Sequence, residues 1–527
     1  MTRWNAQVAI SSCCALLCAD TAFGQRGGSD WATVGNDAQR SGWVRTDPKI
    51  SPESMAKPGF AFLWKQKAGQ TGALTEAVLM DRYIGYRGFR SLAHLGASGN
   101  TIVAFDTDLG RVEWTKSIGA PSTQSGTAAC PGGLTTALAR PVGVAFPAAP
   151  GGRAAGGAMG RGGPAKSGVG APEEGAVTIA QIAAQANQGG RGGFPGAPGA
   201  PNAARGGGGG GMQRMPSYAY ALSSDGKLHA MYVSNGEEPN AAVQFIPANA
   251  NAVGLTVTDG VAYVATINGC GGAPNGIWAM DLSSKQVNSW KAASSISGTS
   301  GFAFGPDGTI YAGTEGGELV GLEAKTLKVL ATYKAGVGFA STPSVFDYKD
   351  KPMVTIAAKD GSIHVLPPAL DAPVAKTPAV SSSGEVTAGA LATWQDREGT
   401  RWILAPAAGS VAAWKLTGEG GSIALSRGWS SRDMVSPLPP MVVNGVVFAV
   451  SSGEYRGKDA ATPAQRAQKS GKAVLYAIDG KTGKELWNSG STITSFVHSG
   501  GLSGGGSQLY LQTYDGTLYA FGFPIEH

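Results

Sequence analysis

Residues 477–487 read Ala-Ile-Asp-Gly-Lys-Thr-Gly-Lys-Glu-Leu-Trp. The phrase spells a strand, a tight turn and a second strand. Alternation before Asp479 fits a half-buried strand. The Asp479 carboxylate can accept backbone N–H groups of the turn that follows, and Gly483 supplies the positive φ that reverses the chain. Trp487 closes the second strand and is large enough to cover the face of a neighbouring sheet, while the small Ala477 leaves space for such a ring. The phrase recurs with Asp106, Gly110 and Trp114, and again with Asp281 and Trp290. Weaker copies start at Ala221, Gly321, Ile363 and Ala413.

A second phrase precedes each copy, with Asp-Gly or Asn-Gly set between alternating apolar residues. Examples lie at Asp259-Gly260, Asp307-Gly308 and Asn444-Gly445. This is the strongest short-range hairpin signal, and two hairpins in tandem make one four-stranded antiparallel sheet. The last copy, at residues 516–523, lacks its Trp strand. A matching strand stands at the other end of the chain in Phe60-Ala-Phe-Leu-Trp64. The first strand is therefore expected to complete the last sheet, closing a ring and removing its exposed edges. The spacing, about 49 residues per unit once an insertion is removed, suits propeller blades. The expected fold is all-β: an eight-bladed β-propeller of four-stranded antiparallel blades, with seven blades as the alternative because the unit around Ile363 is poor.

Composition bounds the rest. The chain has 527 residues, 42% of them hydrophobic, so a sizeable core is affordable, and 15% charged, which excludes a coiled coil. The formal charge is +6. Most of it lies in residues 147–216, a Gly/Pro-rich stretch that includes six consecutive glycines from Gly206 to Gly211. Such a composition cannot offset its ordering entropy, and the stretch reads as a disordered insertion with one short helix near residues 173–185. Its Arg-Gly-Gly triplets fit a flexible tether better than an RNA contact. The near-neutral remainder carries no nucleic-acid footprint.

Arg3, the apolar run Val8 to Cys18 and the small residues up to Gly24 read as a signal peptide over residues 1–24. Residues 25–59 form a lead-in, and 60–527 the propeller. No later stretch is long and apolar enough to span a bilayer. A periplasmic or secreted monomer is expected. Removing the signal leaves Cys130 and Cys270, which in an oxidising compartment are expected to form a structural disulfide.

The pattern AxDxxTGxxxW resembles the tryptophan-docking motif of PQQ-repeat β-propellers. The stretch Trp31-Ala-Thr-Val-Gly35-Asn36-Asp37-Ala-Gln-Arg40-Ser41-Gly42 is similar to the lead-in of such domains. On this resemblance Trp64, Trp114, Trp290 and Trp487 dock blade on blade. The family includes quinoprotein dehydrogenases, which hold pyrroloquinoline quinone (PQQ) and calcium on the ring axis. It also includes the non-catalytic scaffold lipoprotein of outer-membrane barrel assembly. Fold alone does not choose between them.

The adjacent Cys-Cys pair that walls the quinone in the dehydrogenases occurs here only at Cys13-Cys14, inside the signal. Glu76 and Arg140, at the starts of the first and second inner strands, are the candidate cofactor contacts. A carboxylate and a guanidinium near one axis could bind a polar ligand, or form a salt bridge. His498 also starts an inner strand. No histidine spacing marks a metal site, and no nucleophile elbow or Walker loop is present. The expected function is a non-catalytic binding or scaffold propeller, taking a protein partner or a small polar ligand at its rim or funnel. The alternative is a divergent PQQ-dependent dehydrogenase oxidising alcohols or sugars, with PQQ and calcium as cofactors.

Overall fold

The computed structural model describes residues 30–524, apart from 70–73, 86–87, 98, 120–126, 128, 146–216, 380–388, 408, 420–421, 458, 461 and 499–500. The segments expected to be a signal peptide, a disordered insertion and a short helix within it lie outside the described residues. Eight antiparallel sheets form the ring. Their inner strands are Val78–Gly85, a short segment at Ala139, Asn251–Thr258, Phe302–Phe304, Ser344–Tyr348, Ala392–Gln395, Met441–Val443 and Ser503–Gly505, which define blades 1 to 8. Blade 2 joins its inner strand to Tyr218–Leu222 through a single bridge, Ala139 to Tyr220. The insertion occupies the connection between those two segments.

The ring closes as expected. Ala61–Lys67 pairs antiparallel with Thr517–Gly522, with Trp64 opposite Ala520 and Lys65 opposite Tyr519. The poor unit is a genuine blade, blade 5, whose outer strand is only Ala375–Lys376. Eight blades, not seven, make the ring.

Tryptophan docking uses glycine as its seat. A Cβ on Gly110, where φ is +63°, would lie 2.5 Å from Cγ of Trp64, so the blade 8 indole rests directly on the blade 1 turn. Its Nε1 donates to Thr107 O at 3.0 Å. Trp114 of blade 1 sits on Gly236 of blade 2 in the same way. On Gly483 of blade 7 the ring is Trp429, from the blade 6 outer strand Ser422–Ser430. The turn aspartates act as the phrase implies: Asp479 Oδ1 accepts from the backbone N of Lys481 and Thr482 at 3.0 and 2.8 Å. Asp106 and Asp281 do the same in their own turns.

The lead-in runs through the centre of the ring. Residues 31–47 touch the inner strands one after another. Leu79 N donates to Trp31 O, Arg140 N to Ala32 O, and Thr33 Oγ1 to Leu255 O, covering blades 1 to 3. Phe304 N then donates to Ala38 O, Val345 N to Gln39 O, and Thr393 N to Ser41 O. Trp43–Val44 adds a parallel strand to Met441–Val443 of blade 7, and Ser507 N of blade 8 donates to Asp47 Oδ2 at 2.9 Å. The segment is a plug. Its anchor is Arg40, only 1% exposed, which donates to Phe302 O, Thr33 Oγ1, Val34 O, Gly254 O and Thr256 Oγ1. Burial lowers the Arg40 pKa to about 10, still far above neutral pH, so a charged group is buried against carbonyl and hydroxyl dipoles.

Cys130 and Cys270 form a disulfide across 140 residues of sequence. It ties the loop ahead of the blade 2 inner strand to a turn of blade 3. Among the described residues no helix is long and apolar enough to cross a membrane.

Candidate functional site: an axial funnel

The inner strands all begin on one face of the ring, and there they surround a cavity of about 870 Å³. Its wall is built from the segments leading into the strands, including residues 74–76, 135–137, 298–300, 389–391 and 437–441. Small residues and prolines dominate these segments because eight of them must converge on one axis. The plug forms the floor through Trp31, Val34, Gly35 and Arg40. A pocket of this size accepts a drug-sized ligand.

Glu76 lies in the funnel wall and grips the floor. Its Oε1 accepts from Trp31 Nε1 at 2.5 Å and from Gly35 N at 3.1 Å. On the other side Oε2 lies 2.8 Å from where a Cβ on Gly501 would stand. Burial pushes the carboxyl up to about 7, against the pull of the Trp31 and Gly35 hydrogen bonds. Arg140 is equally buried but is not part of the cavity wall. Its Nη1 donates to Asp30 Oδ2 at 2.5 Å and to Leu79 O at 3.2 Å. The structure thus brings both residues against the plug, Glu76 through Trp31 and Arg140 through Asp30, without joining them in one polar pocket.

Most of the other charges of the funnel gather on one side. His498 lines the cavity, and its Nδ1 bonds Glu454 Oε1. Glu454 is 1% exposed and also accepts from Arg456 Nε at 2.9 Å, with Arg466 Nη1 at 3.7 Å. Burial alone would raise the Glu454 carboxyl, but the His498 bond and the His498 and Arg456 charges outweigh it and hold it below the ordinary range. Arg456 and Arg466 belong to the long connection between Val446–Ser451 and Val474–Asp479 of blade 7. That connection carries the short helix Pro463–Lys469, started by a Thr462/Gln465 capping box. Beside them Phe496 and Tyr514 stack with centroids 4.5 Å apart, giving a flat apolar wall. Across the funnel, Lys359 and Glu315 pair at 3.2 Å.

Sequence reasoning singled out His498 but not Arg456 or Arg466. A signal was present: residues 452–473 are far longer than a hairpin turn and carry five basic residues. The remaining described histidines serve the blades. His94 bonds Val233 O, His229 sits between Ser223 and Glu238, and His364 between Ser362 and Tyr333.

Calcium takes roughly six to eight oxygen ligands. Among the described residues no three His, Cys, Asp or Glu side chains converge, and Glu76 Oε1 is already committed to two donors. Among the described residues these side chains do not assemble a carboxylate site for calcium.

No family model and no curated protein matches the sequence. Solved structures do match the fold. The quinohemoprotein alcohol dehydrogenase from Comamonas testosteroni aligns over 95% of this chain and 81% of its own, at 13% identity and a TM-score of 0.56. One from Pseudomonas putida HK5 covers the same shares at 10% identity and a TM-score of 0.55. A europium-containing methanol dehydrogenase aligns over 94% of this chain and 98% of its own, at 11% identity and a TM-score of 0.56. At such identities the likeness is one of fold: this chain shares the propeller fold of those enzymes.

Proposed function

We propose that the protein is an exported, non-catalytic binding propeller whose axial funnel holds a small polar ligand. The observation that carries this reading is the funnel itself. It is a cavity of about 870 Å³ closed below by a plug that is hydrogen-bonded blade by blade, with polar groups converging on one wall. A largely preformed pocket with a few placed charges is the usual form of a ligand site. Of its two lining carboxylates, Glu76 is spent on holding the floor and Glu315 is paired with Lys359, which suits binding better than metal coordination. The Cys130–Cys270 disulfide supports export, since such bonds persist in oxidising compartments.

The test is reconstitution. Purified protein is incubated with PQQ and calcium, then assayed for dye-linked oxidation of alcohols and sugars. The reading expects neither stoichiometric quinone absorbance nor turnover above the free cofactor. Turnover that depends on both additions and is lost in Glu76→Ala would overturn it in favour of a divergent dehydrogenase.

A further inference from the structure

The charge on the blade 7 side of the funnel is not balanced. One carboxylate, Glu454, faces two guanidiniums and an imidazole. Glu454 is satisfied by Arg456 and His498 at hydrogen-bond distance. Arg466 is not held in this way. Its nearest carboxylate oxygen is 3.7 Å away, beyond a hydrogen bond, and its buried Nε has no partner. Arg466 nonetheless lines the cavity, and its side chain is partly exposed. A planar fork of donors with no bonded acceptor, beside a second guanidinium and at the edge of a pocket, suits an incoming oxyanion.

We propose that Arg466, with Arg456 and His498 around Glu454, forms a subsite for the carboxylate of a small organic acid. Phe496 and Tyr514 wall the body of that ligand in the funnel. Glu454 acts as a positioning residue: it holds Arg456 and His498 in place and offsets part of the positive charge of the empty patch. The ligand supplies the second negative charge that Glu454 alone does not. This proposal rests on the reading of the funnel as a ligand site.

The experiment is calorimetric titration of the full chain at constant ionic strength. Tartrate, citrate and glucuronate are compared with neutral counterparts, glucose standing against glucuronate, and inorganic phosphate forms a separate arm. Three variants accompany the natural chain. Arg466→Gln removes the charge, Arg466→Lys keeps it, and Thr299→Trp crowds the far wall, where Thr299 is an exposed lining residue. Thermal melts confirm that each variant folds.

At least one acid is expected to bind, with its neutral counterpart at least about tenfold weaker, the scale of a charge-assisted hydrogen bond. Arg466→Gln is expected to lose about tenfold or more, Arg466→Lys to recover part of it, and Thr299→Trp to weaken binding by crowding. Equal binding of acids and neutral molecules, or an Arg466→Gln variant with unchanged affinity, overturns the subsite. Phosphate binding as tightly as the acids overturns the carboxylate assignment. If neutral molecules bind and Thr299→Trp blocks them, the ligand-binding funnel stands and only the subsite falls. If nothing binds in any arm, both fall.

Discussion

Replacing Glu76 by Gln should change the pH dependence of stability in a defined direction. The folded chain raises this carboxyl from an ordinary 4.5 to about 7 through burial. Below pH 4.5 it is neutral in both folded and unfolded chains and costs nothing. Between 4.5 and 7 the unfolded chain ionises first, so stability falls as pH rises, and above 7 the full loss is in place. At about 1.4 kcal/mol per pKa unit the loss is roughly 3 kcal/mol. His94 works in the opposite sense. Burial lowers it from 6.5 to about 4, so its contribution is whole above 6.5 and is lost as pH falls through 4, again by roughly 3 kcal/mol. The two slopes offset each other across nearly the same window. Gln keeps the acceptor for Trp31 and Gly35 and mimics the neutral carboxyl. The assay is urea unfolding followed by tryptophan fluorescence from pH 4 to 8 on both proteins. The difference between them should grow by about 3 kcal/mol in favour of Glu76→Gln between pH 4.5 and 7.5. Parallel profiles would refute the buried, protonated Glu76 and its role in gripping the plug.

Three further outcomes follow from the packing. Gly110→Ala puts a methyl 2.5 Å from the Trp64 ring at a φ of +63°, and should cost about 2–3 kcal/mol by chemical denaturation; Gly260→Ala, also at positive φ but facing open space, should cost clearly less. Replacing both Cys130 and Cys270 by Ala opens a loop of 140 residues and should lower stability by roughly 3–5 kcal/mol, with equal stabilities under reducing and oxidising conditions in the variant alone. Arg40→Met strands carbonyls of the plug and of blades 3 and 4 and should cost about 3–5 kcal/mol, with faster hydrogen exchange at the Phe304 and Val345 amides, which bond the plug.

The ring was legible in the sequence where local chemistry repeats. Asp479, Gly483 and Trp487 perform a turn, a reversal and a cover that depend only on neighbours in the chain, so each copy announces itself. Trp429 did not, because blade 6 carries a long hairpin, Ser410–Glu419 to Ser422–Ser430, in which the Asp of the phrase is replaced by Lys415. Blade 5 looked poor because an outer strand of two residues leaves no place for a docking ring. The plug was invisible for another reason: most of its bonds run from backbone to backbone between segments far apart in the chain, as from Val442 N to Gly42 O, and such pairing writes no pattern. Arg40 stood in the quoted lead-in, yet its five acceptors are scattered over the chain. The funnel is harder still to read, since the cavity depends on what eight separate segments leave unfilled.

The most direct test of the account is native mass spectrometry of the protein purified from its own cells without added cofactor. The account predicts a small organic acid retained at one copy per chain and lost in Arg466→Gln. Stoichiometric PQQ with calcium in the same spectrum would contradict it.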